Sequence, residues 1–151
     1  MTPAVRSFVE SLKLSGKALD VGSMNINGCV RDLFNDYVGV DMRPGPNVDV
    51  VANADVLPFG NEVFNVVLCL EMLEHDATFW KTLPELVRVL RVGGSLVLTV
   101  RGIGFKKHEY PYDYWRFTKE GLESVCSPYV TIIKSIEDAT DQGVFLHGVK
   151  Q

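Results

Sequence analysis

Short apolar runs alternate along this chain with segments of helical periodicity, a pattern typical of a parallel α/β sheet. Five runs rich in Val and Leu read as strands covered on both faces, at 17–21, 36–41, 48–52, 64–70 and 95–100. Two further apolar runs, 129–136 and 143–149, are joined by an acidic turn at 138–142. So short a connection predicts an antiparallel hairpin at one edge of the sheet.

Three helices are predicted, the first before the first strand and the other two between strands. Apolar residues at helical spacing place the first within 3–14. A Thr-x-x-Glu capping box at Thr82 and Glu85, with Pro84 in the first turn, predicts the start of the second helix, and Gly93-Gly94 predicts its end. The third helix is expected from Thr118 to about Ser127.

Composition adds limits on the class of protein. The 151 residues are 46% hydrophobic and 23% charged, which fits one globular domain spanning 1–151. A net charge of −4 argues against nonspecific binding to nucleic acid. The sequence contains neither a membrane-spanning apolar run nor an apolar leader, and its three cysteines form no Cys-x-x-Cys pair. We therefore expect a cytoplasmic protein with reduced cysteines.

Candidate chemistry lies where the first two strands end. Asp20-Val21-Gly22-Ser23 closes the first strand, and Asp41 closes the second about 20 residues later. A glycine there admits a ligand close to the backbone, and an acidic residue at the second position can receive both hydroxyls of a ribose. The pair indicates an adenosine-containing ligand, although turn formation would explain either carboxylate alone.

The loop after the first strand narrows the choice of ligand. It reads Gly22-Ser23-Met24-Asn25-Ile26-Asn27-Gly28, so the glycines of a dinucleotide fingerprint are missing, as is a Walker lysine. A nicotinamide-dependent oxidoreductase is therefore disfavoured.

Five motifs in order over about 17–121 resemble the class I S-adenosylmethionine-dependent methyltransferases, particularly their small type 11 branch. They are Leu19-Asp20-Val21-Gly22-Ser23, Tyr37-Val38-Gly39-Val40-Asp41, Asn53-Ala54-Asp55-Val56-Leu57-Pro58-Phe59, the stretch FNVVLCLEMLEH from Phe64 to His75, and Arg88-Val89-Leu90-Arg91-Val92-Gly93-Gly94. The resemblance implies a three-layer Rossmann-like sheet, mostly parallel with a C-terminal antiparallel hairpin. It divides the chain into an N-terminal helix (1–16), a cofactor-binding half (17–100) and an acceptor side (101–151).

The same resemblance implies roles for individual residues around S-adenosyl-L-methionine. Asp41 would hold the ribose, Met42 would pack on adenine, and Asn53 would accept from the adenine amino group, with Asp55 as a competing candidate. The other implied cofactor contacts are Asp20, Gly22, Ser23, Ala54, Leu70 and Glu71. The missing interior glycines make cofactor affinity a weaker expectation than the fold.

Catalytic candidates follow the fourth strand and the fifth. Glu71, Glu74 and His75 form a Glu-x-x-Glu-His series that also resembles ubiquinone-biosynthesis O-methyltransferases. Three roles remain open for it: capping the next helix, acting as a general base, or binding a divalent ion. We name His75, Glu71, His108 and Tyr112 as catalytic candidates and assign no metal ligand.

An aromatic segment after the fifth strand is the remaining informative feature. It contains Tyr110, Tyr112, Tyr114, Trp115 and Phe117. So many rings predict either a satellite core or a pocket wall. We expect Trp115 and Phe117 to be core, and Tyr112, Tyr114 and Arg116 to line an acceptor.

The favoured function is methyl transfer to a small-molecule or saccharide-like acceptor by in-line displacement. The alternative is a non-catalytic relative that binds the cofactor or a protein partner. Few residues remain to cover the acceptor, which predicts an open or partner-completed site, and a homodimer is possible.

Overall fold

The computed structural model describes residues 1–108 and 112–151, and the strands within them form one seven-stranded mixed sheet. The strands are β1 (Lys17–Val21), β2 (Asp36–Asp41), β3 (Val50–Val51), β4 (Phe64–Leu70), β5 (Leu90–Arg101), β6 (Val130–Asp138) and β7 (Gly143–Lys150). Their order is β3-β2-β1-β4-β5-β7-β6, with β1 to β5 parallel and β7 antiparallel to both neighbours. The predicted parallel sheet with an antiparallel C-terminal hairpin at its edge is confirmed.

Helices cover both faces of the sheet and make three layers. They are α1 (Pro3–Ser11), α2 (Phe79–Val89) and α3 (Lys119–Cys126). Phe8 of α1 packs beside Phe145 on one face, with ring centroids 5.4 Å apart. Leu86 of α2 and Leu122 of α3 belong to the larger apolar cluster on the other face. Each helix therefore buries one stripe against the sheet, as the Val- and Leu-rich strands require.

The predicted start of α2 was wrong. The helix begins at Phe79, three residues before the expected cap, and Pro84 lies inside it. Thr78 is the N-cap, and no side chain makes a capping hydrogen bond there. The Asp76 carboxylate accepts from the Thr78 backbone N–H at 2.8 Å and from the buried Thr82 hydroxyl at 2.5 Å. Thr82 is therefore a buried donor within the helix and does not cap it.

Gly93-Gly94 does not end α2, which stops at Val89 and passes directly into β5. The two glycines lie in an irregular stretch of β5, where two residues along β4 correspond to five along β5. Gly93 has φ of +76°, the left-handed conformation expected of it, but it serves a strand bulge.

The third strand is shorter than the predicted 48–52 because Asp49 bonds to Gly39 of β2 through its side chain. Its carboxylate accepts the Gly39 N–H at 2.8 Å, and its own N–H donates to the Gly39 carbonyl at 2.8 Å. A side-chain oxygen thus takes the place of a ladder carbonyl, and regular pairing is confined to Val50–Val51.

Two other sequence predictions concern single side chains. Phe117 is buried as expected, but Trp115 is 37% exposed, so its assignment to the core was wrong. Its indole N–H donates to the Asp76 carbonyl at 2.9 Å, which holds the ring at the surface. Cys29, Cys69 and Cys126 are free thiols, as predicted.

Among the helices of residues 1–108 and 112–151, none has the length and apolar character needed to cross a bilayer.

Candidate cofactor and acceptor site

The strand order reverses between β1 and β4, and their carboxyl ends form the crevice where open α/β sheets bind ligands. Asp20, Gly22 and Ser23 lie at the end of β1, and Leu70 and Glu71 at the end of β4. β2 runs beside β1 on its other side, which brings Asp41 to the same edge. The topology therefore collects the residues expected to surround the cofactor.

Asp20 is almost fully buried and holds its carboxylate against Tyr37. The Tyr37 hydroxyl donates to Asp20 Oδ2 at 2.5 Å and accepts from Asn47 Nδ2 at 2.9 Å. Burial raises the pKa of Asp20 to about 6, and the Asp41 charge adds to the shift, while the Tyr37 hydrogen bond opposes it. Asp20 is thus a carboxylate held out of water beside the crevice.

The loop after β1 turns tightly although it lacks the usual glycines. Gly22 has φ of +82°, and its N–H donates to the Val40 carbonyl at 2.8 Å. Gly28 has φ of +107° and donates to Asn25 Oδ1 at 2.8 Å, so Asn25 closes the far end of the loop. The buried Ser23 hydroxyl donates to the Asn47 carbonyl at 3.1 Å, so this side chain is already engaged within the protein.

Replacing Gly22 with alanine should destabilise this corner. A Cβ there would lie 2.5 Å from Met72 Cγ, and the positive φ already disfavours a side chain. We expect the free energy of unfolding to fall by about 2 kcal/mol, measured by denaturant titration. Gly60→Ala is the matched control because the nearest atom to its new Cβ is 3.7 Å away. Equal effects of the two variants would contradict the close packing over Gly22.

Asp41 presents a partly buried carboxylate next to the loop. Met24 N–H donates to its Oδ2 and Arg43 N–H donates to its Oδ1, each at 3.2 Å. Both donors are backbone groups, so the carboxylate is held in place and its remaining lone pairs can accept further hydrogen bonds.

The residues expected around adenine lie on the outer side of Asp41. Met42 is 58% exposed and Asn53 is exposed, whereas Asp55 and Ala54 are partly buried and Ala54 packs against the larger apolar cluster. The choice between Asn53 and Asp55 as adenine acceptor stays a prediction.

Glu71 is held in an ion pair with a residue that the sequence analysis did not single out. Its carboxylate lies 2.6 Å from Arg101 Nη2 and 3.7 Å from the Met1 ammonium. Glu71 also has φ of +55°, a costly conformation, and its N–H donates to the Thr99 carbonyl at 2.7 Å. The only signal for Arg101 in the sequence was a charge at the end of an apolar strand.

Glu74, His75 and His108 come together beyond Glu71, and each offers a ligand atom within 4.8 Å of the others. The His75 and His108 rings meet edge to face, with centroids 4.7 Å apart. Neither Glu74 nor His75 caps α2, because the N-cap is Thr78 and no side chain makes a capping hydrogen bond there; capping as the role of the pair was wrong. Burial raises the pKa of Glu74 to about 8 and lowers the pKa of His108.

The aromatic segment connects to this cluster mainly through its backbone. The Tyr112 carbonyl lies 2.5 Å from His75 Nδ1, and the Tyr114 N–H donates to the Glu74 carbonyl at 2.8 Å. The Tyr112 and Tyr114 side chains are 63% and 48% exposed. Arg116 is held by both carboxylate oxygens of Asp113, at 2.5 and 2.6 Å, so much of its charge is already balanced. Tyr110 lies outside the described residues.

Two curated proteins that are similar to this chain are methyltransferases. The chain is 33% identical over 90 residues to a phthiotriol/phenolphthiotriol dimycocerosates methyltransferase of Mycobacterium leprae, and 31% identical over 112 residues to a tRNA (carboxymethyluridine(34)-5-O)-methyltransferase of Arabidopsis thaliana. These alignments cover 52% and 65% of this chain but only 33% and 27% of the relatives, so the chain spans about a third of their length or less.

A solved structure shares nearly the whole fold. It is the 1,6-didemethyltoxoflavin-N1-methyltransferase of Burkholderia thailandensis with bound 1,6-didemethyltoxoflavin and S-adenosylhomocysteine, matched with a TM-score of 0.77 at 16% identity. The match covers 99% of this chain and 77% of that one. The family model described as "Methyltransferase domain" matches residues 19–98, which run from β1 through most of β5. The chain therefore belongs to this methyltransferase domain family, as its ordered motifs predicted.

Proposed function

We propose that the chain binds S-adenosylmethionine at the β1–β4 crevice and transfers its methyl group to a small-molecule or saccharide-like acceptor. The observation that carries the proposal is the convergence of Asp20, Gly22 and Asp41 at one edge of the sheet. Gly22 offers bare backbone, and the two carboxylates offer acceptors for the hydroxyl and ammonium groups of such a ligand.

The residues match the chemistry of this cofactor, but the cavity between them is small. The cavity lined by Asp20, Gly22, Ser23 and Leu70 measures about 50 Å³, below the several hundred Å³ of ordinary ligand pockets. Met1 lines its wall, and the Met72 side chain lies directly over Gly22. Methionine is unbranched and flexible, so we expect these two side chains to move when the cofactor binds.

The cofactor would supply a methyl group on a sulfonium, an intrinsically reactive donor. The chain then has to align the acceptor, because an in-line displacement depends mainly on geometry. His75 is our candidate base for a hydroxyl acceptor, since its ring is held by the Tyr112 carbonyl. The Glu71–Arg101 ion pair makes Glu71 a better positioning group than a proton acceptor.

The acceptor side is open and aromatic. Tyr112 and Tyr114 lie 5.8 Å apart between ring centroids, and both are substantially exposed. Aromatic faces of this kind suit the apolar face of a sugar or another ring better than a charged group. We therefore keep the small-molecule or saccharide-like class for the acceptor.

Calorimetric titration with S-adenosylhomocysteine tests the cofactor half of the proposal. We expect one site per chain with a dissociation constant at or below about 100 μM, within the ordinary affinity range of small-ligand sites. The absence of any heat of binding at millimolar ligand would refute it.

The small cavity also supports a second candidate, a non-catalytic member that binds a partner. Release of S-adenosylhomocysteine from S-adenosylmethionine, measured over a panel of hydroxylated sugars and phenols, separates the two. Turnover with any acceptor excludes the non-catalytic alternative.

A further inference from the structure

We propose that Glu74, His75 and His108 form a binding site for one divalent transition-metal ion of the zinc class. The three residues come from two segments that are over 30 positions apart in the sequence, the turn after β4 and the loop after β5. The inference concerns metal binding alone, and it stands whether or not the chain transfers methyl groups. An ion bound to His75 would take the place of that residue's role as a general base.

The strongest observation is the Glu74 carboxylate. Its side chain is fully buried, and neither oxygen has a hydrogen-bond partner among the described residues. Burying a carboxyl group without a partner costs free energy in its charged and in its neutral form, and a bound cation would remove that cost by pairing with the charged form. The two imidazoles beside it would supply two further ligand atoms for such a cation.

One of the two imidazoles is oriented by a protein oxygen, as metal-binding histidines usually are: His75 Nδ1 lies 2.5 Å from the Tyr112 carbonyl. A proton on that nitrogen leaves Nε2 of His75 as the ligand. His108 Nδ1 lies 3.2 Å from Asp113 Oδ2 without hydrogen-bond geometry, so a carboxylate lies beside this second ring but makes no bond to it. Asp113 is itself fixed by Arg116, so this carboxylate is held in place.

The distances allow a site that closes on the ion. The three ligand atoms lie within 4.8 Å of one another, whereas bonds of about 2.0–2.1 Å in a tetrahedron put ligand atoms roughly 3.3 Å apart. Small side-chain rotations would make up the difference. Two nitrogens and one carboxylate suit zinc, cobalt or nickel, and they do not suit Mg²⁺ or Ca²⁺, which prefer oxygen ligands.

This set differs from the Glu-x-x-Glu-His series in the sequence. Arg101 holds the Glu71 carboxylate at 2.6 Å, so that residue has its counterion already. His108 replaces it, and no sequence spacing links His108 to the other two ligands. The tertiary structure alone assembles this trio.

The test uses the whole chain after treatment with a chelator, titrated with Zn²⁺ by calorimetry and with Co²⁺ by visible absorption. We expect one ion per chain and the absorption of low-symmetry, protein-bound Co²⁺. His75→Ala, His108→Ala and Glu74→Gln should each weaken binding at least about tenfold. His147→Ala is the matched control, because this third histidine of the chain bonds to Ser95 at 3.0 Å within the sheet.

Three outcomes would overturn the site: no binding at millimolar Zn²⁺, unchanged affinity in His75→Ala and His108→Ala, or an equal loss in His147→Ala. Glu74→Gln changes a core residue, so circular dichroism must confirm its fold, and the loop variant His108→Ala keeps the test decisive if it fails. S-adenosylhomocysteine affinity is measured separately on the metal-free chain. A failure of cofactor binding is thereby distinguished from a failure of metal binding.

Discussion

Asp41→Ala is expected to weaken binding of S-adenosylhomocysteine on the order of 100-fold, because the carboxylate would hold both ribose hydroxyls. Hydrogen bonds to a charged group contribute about 1.5–3 kcal/mol each, so losing two removes about 3 kcal/mol or more. Calorimetric titration of both proteins at one ionic strength measures the ratio.

Asp36→Ala is the matched control for that experiment. Asp36 begins β2 at the opposite edge of the sheet and is exposed, so its loss changes the net charge equally without touching the crevice. We expect its affinity to stay within about twofold of wild type, since an exposed charge far from the ligand is screened by solvent. Because Asp41 also accepts two backbone N–H groups, thermal unfolding of Asp41→Ala must show a folded protein at the titration temperature. A folded Asp41→Ala variant with wild-type affinity would contradict ribose binding by this residue.

Asp20→Asn is expected to gain stability relative to wild type as the pH rises. The folded-state pKa of Asp20 is about 6, above its ordinary value of 3.8, so the folded chain binds this proton more tightly than the unfolded chain does. Stability from this group is therefore present below the ordinary value and is lost as the pH rises through about 6. Between about pH 4 and pH 7 the loss amounts to about 2 kcal/mol in wild type. Asparagine does not titrate, and its amide oxygen can still accept from the Tyr37 hydroxyl.

Denaturant titrations of both proteins across this pH range measure the difference, with Asp36→Asn as the exposed control. A pH-independent difference between Asp20→Asn and wild type would show that burial does not shift this carboxyl. Saturating S-adenosylhomocysteine should reduce the pH effect in wild type, because a ligand ammonium near Asp20 would favour its charged form. Charged Asp20 would thus lower the stability of the free protein, and the same charge would bind the ammonium group of the ligand.

The sequence predicted the sheet well because parallel strands buried on both faces leave a strong signal. The ranges Lys17–Val21, Asp36–Asp41 and Phe64–Leu70 coincide with the predicted strands. Two of the errors arose where a carboxylate formed bonds that local patterns do not show. Asp49 shortened β3 by bonding to Gly39, and Asp76 accepts from the Thr82 hydroxyl, which lies inside α2 and not at its start.

The candidate site also contains residues that the sequence could identify and contacts that it could not. Asp20, Gly22 and Asp41 could be identified because the carboxyl ends of neighbouring parallel strands meet at one edge, which fixes their placement from chain order alone. Arg101 and the packing of Met72 over Gly22 could not, because both depend on side chains that meet across strands. A single sequence does not show which side chains contact each other across strands.

The sequence by itself determined most of the strands, the family and the edge of the sheet where we propose that the cofactor binds, because each follows from local periodicity and ordered motifs. Only the tertiary structure decided which charges are paired. It joined Glu71 to Arg101, left the Glu74 carboxyl buried without a hydrogen-bond partner among the described residues, and brought His108 beside His75. These contacts depend on the folded path of the loop after β5, so their chemistry appears only when distant segments lie side by side.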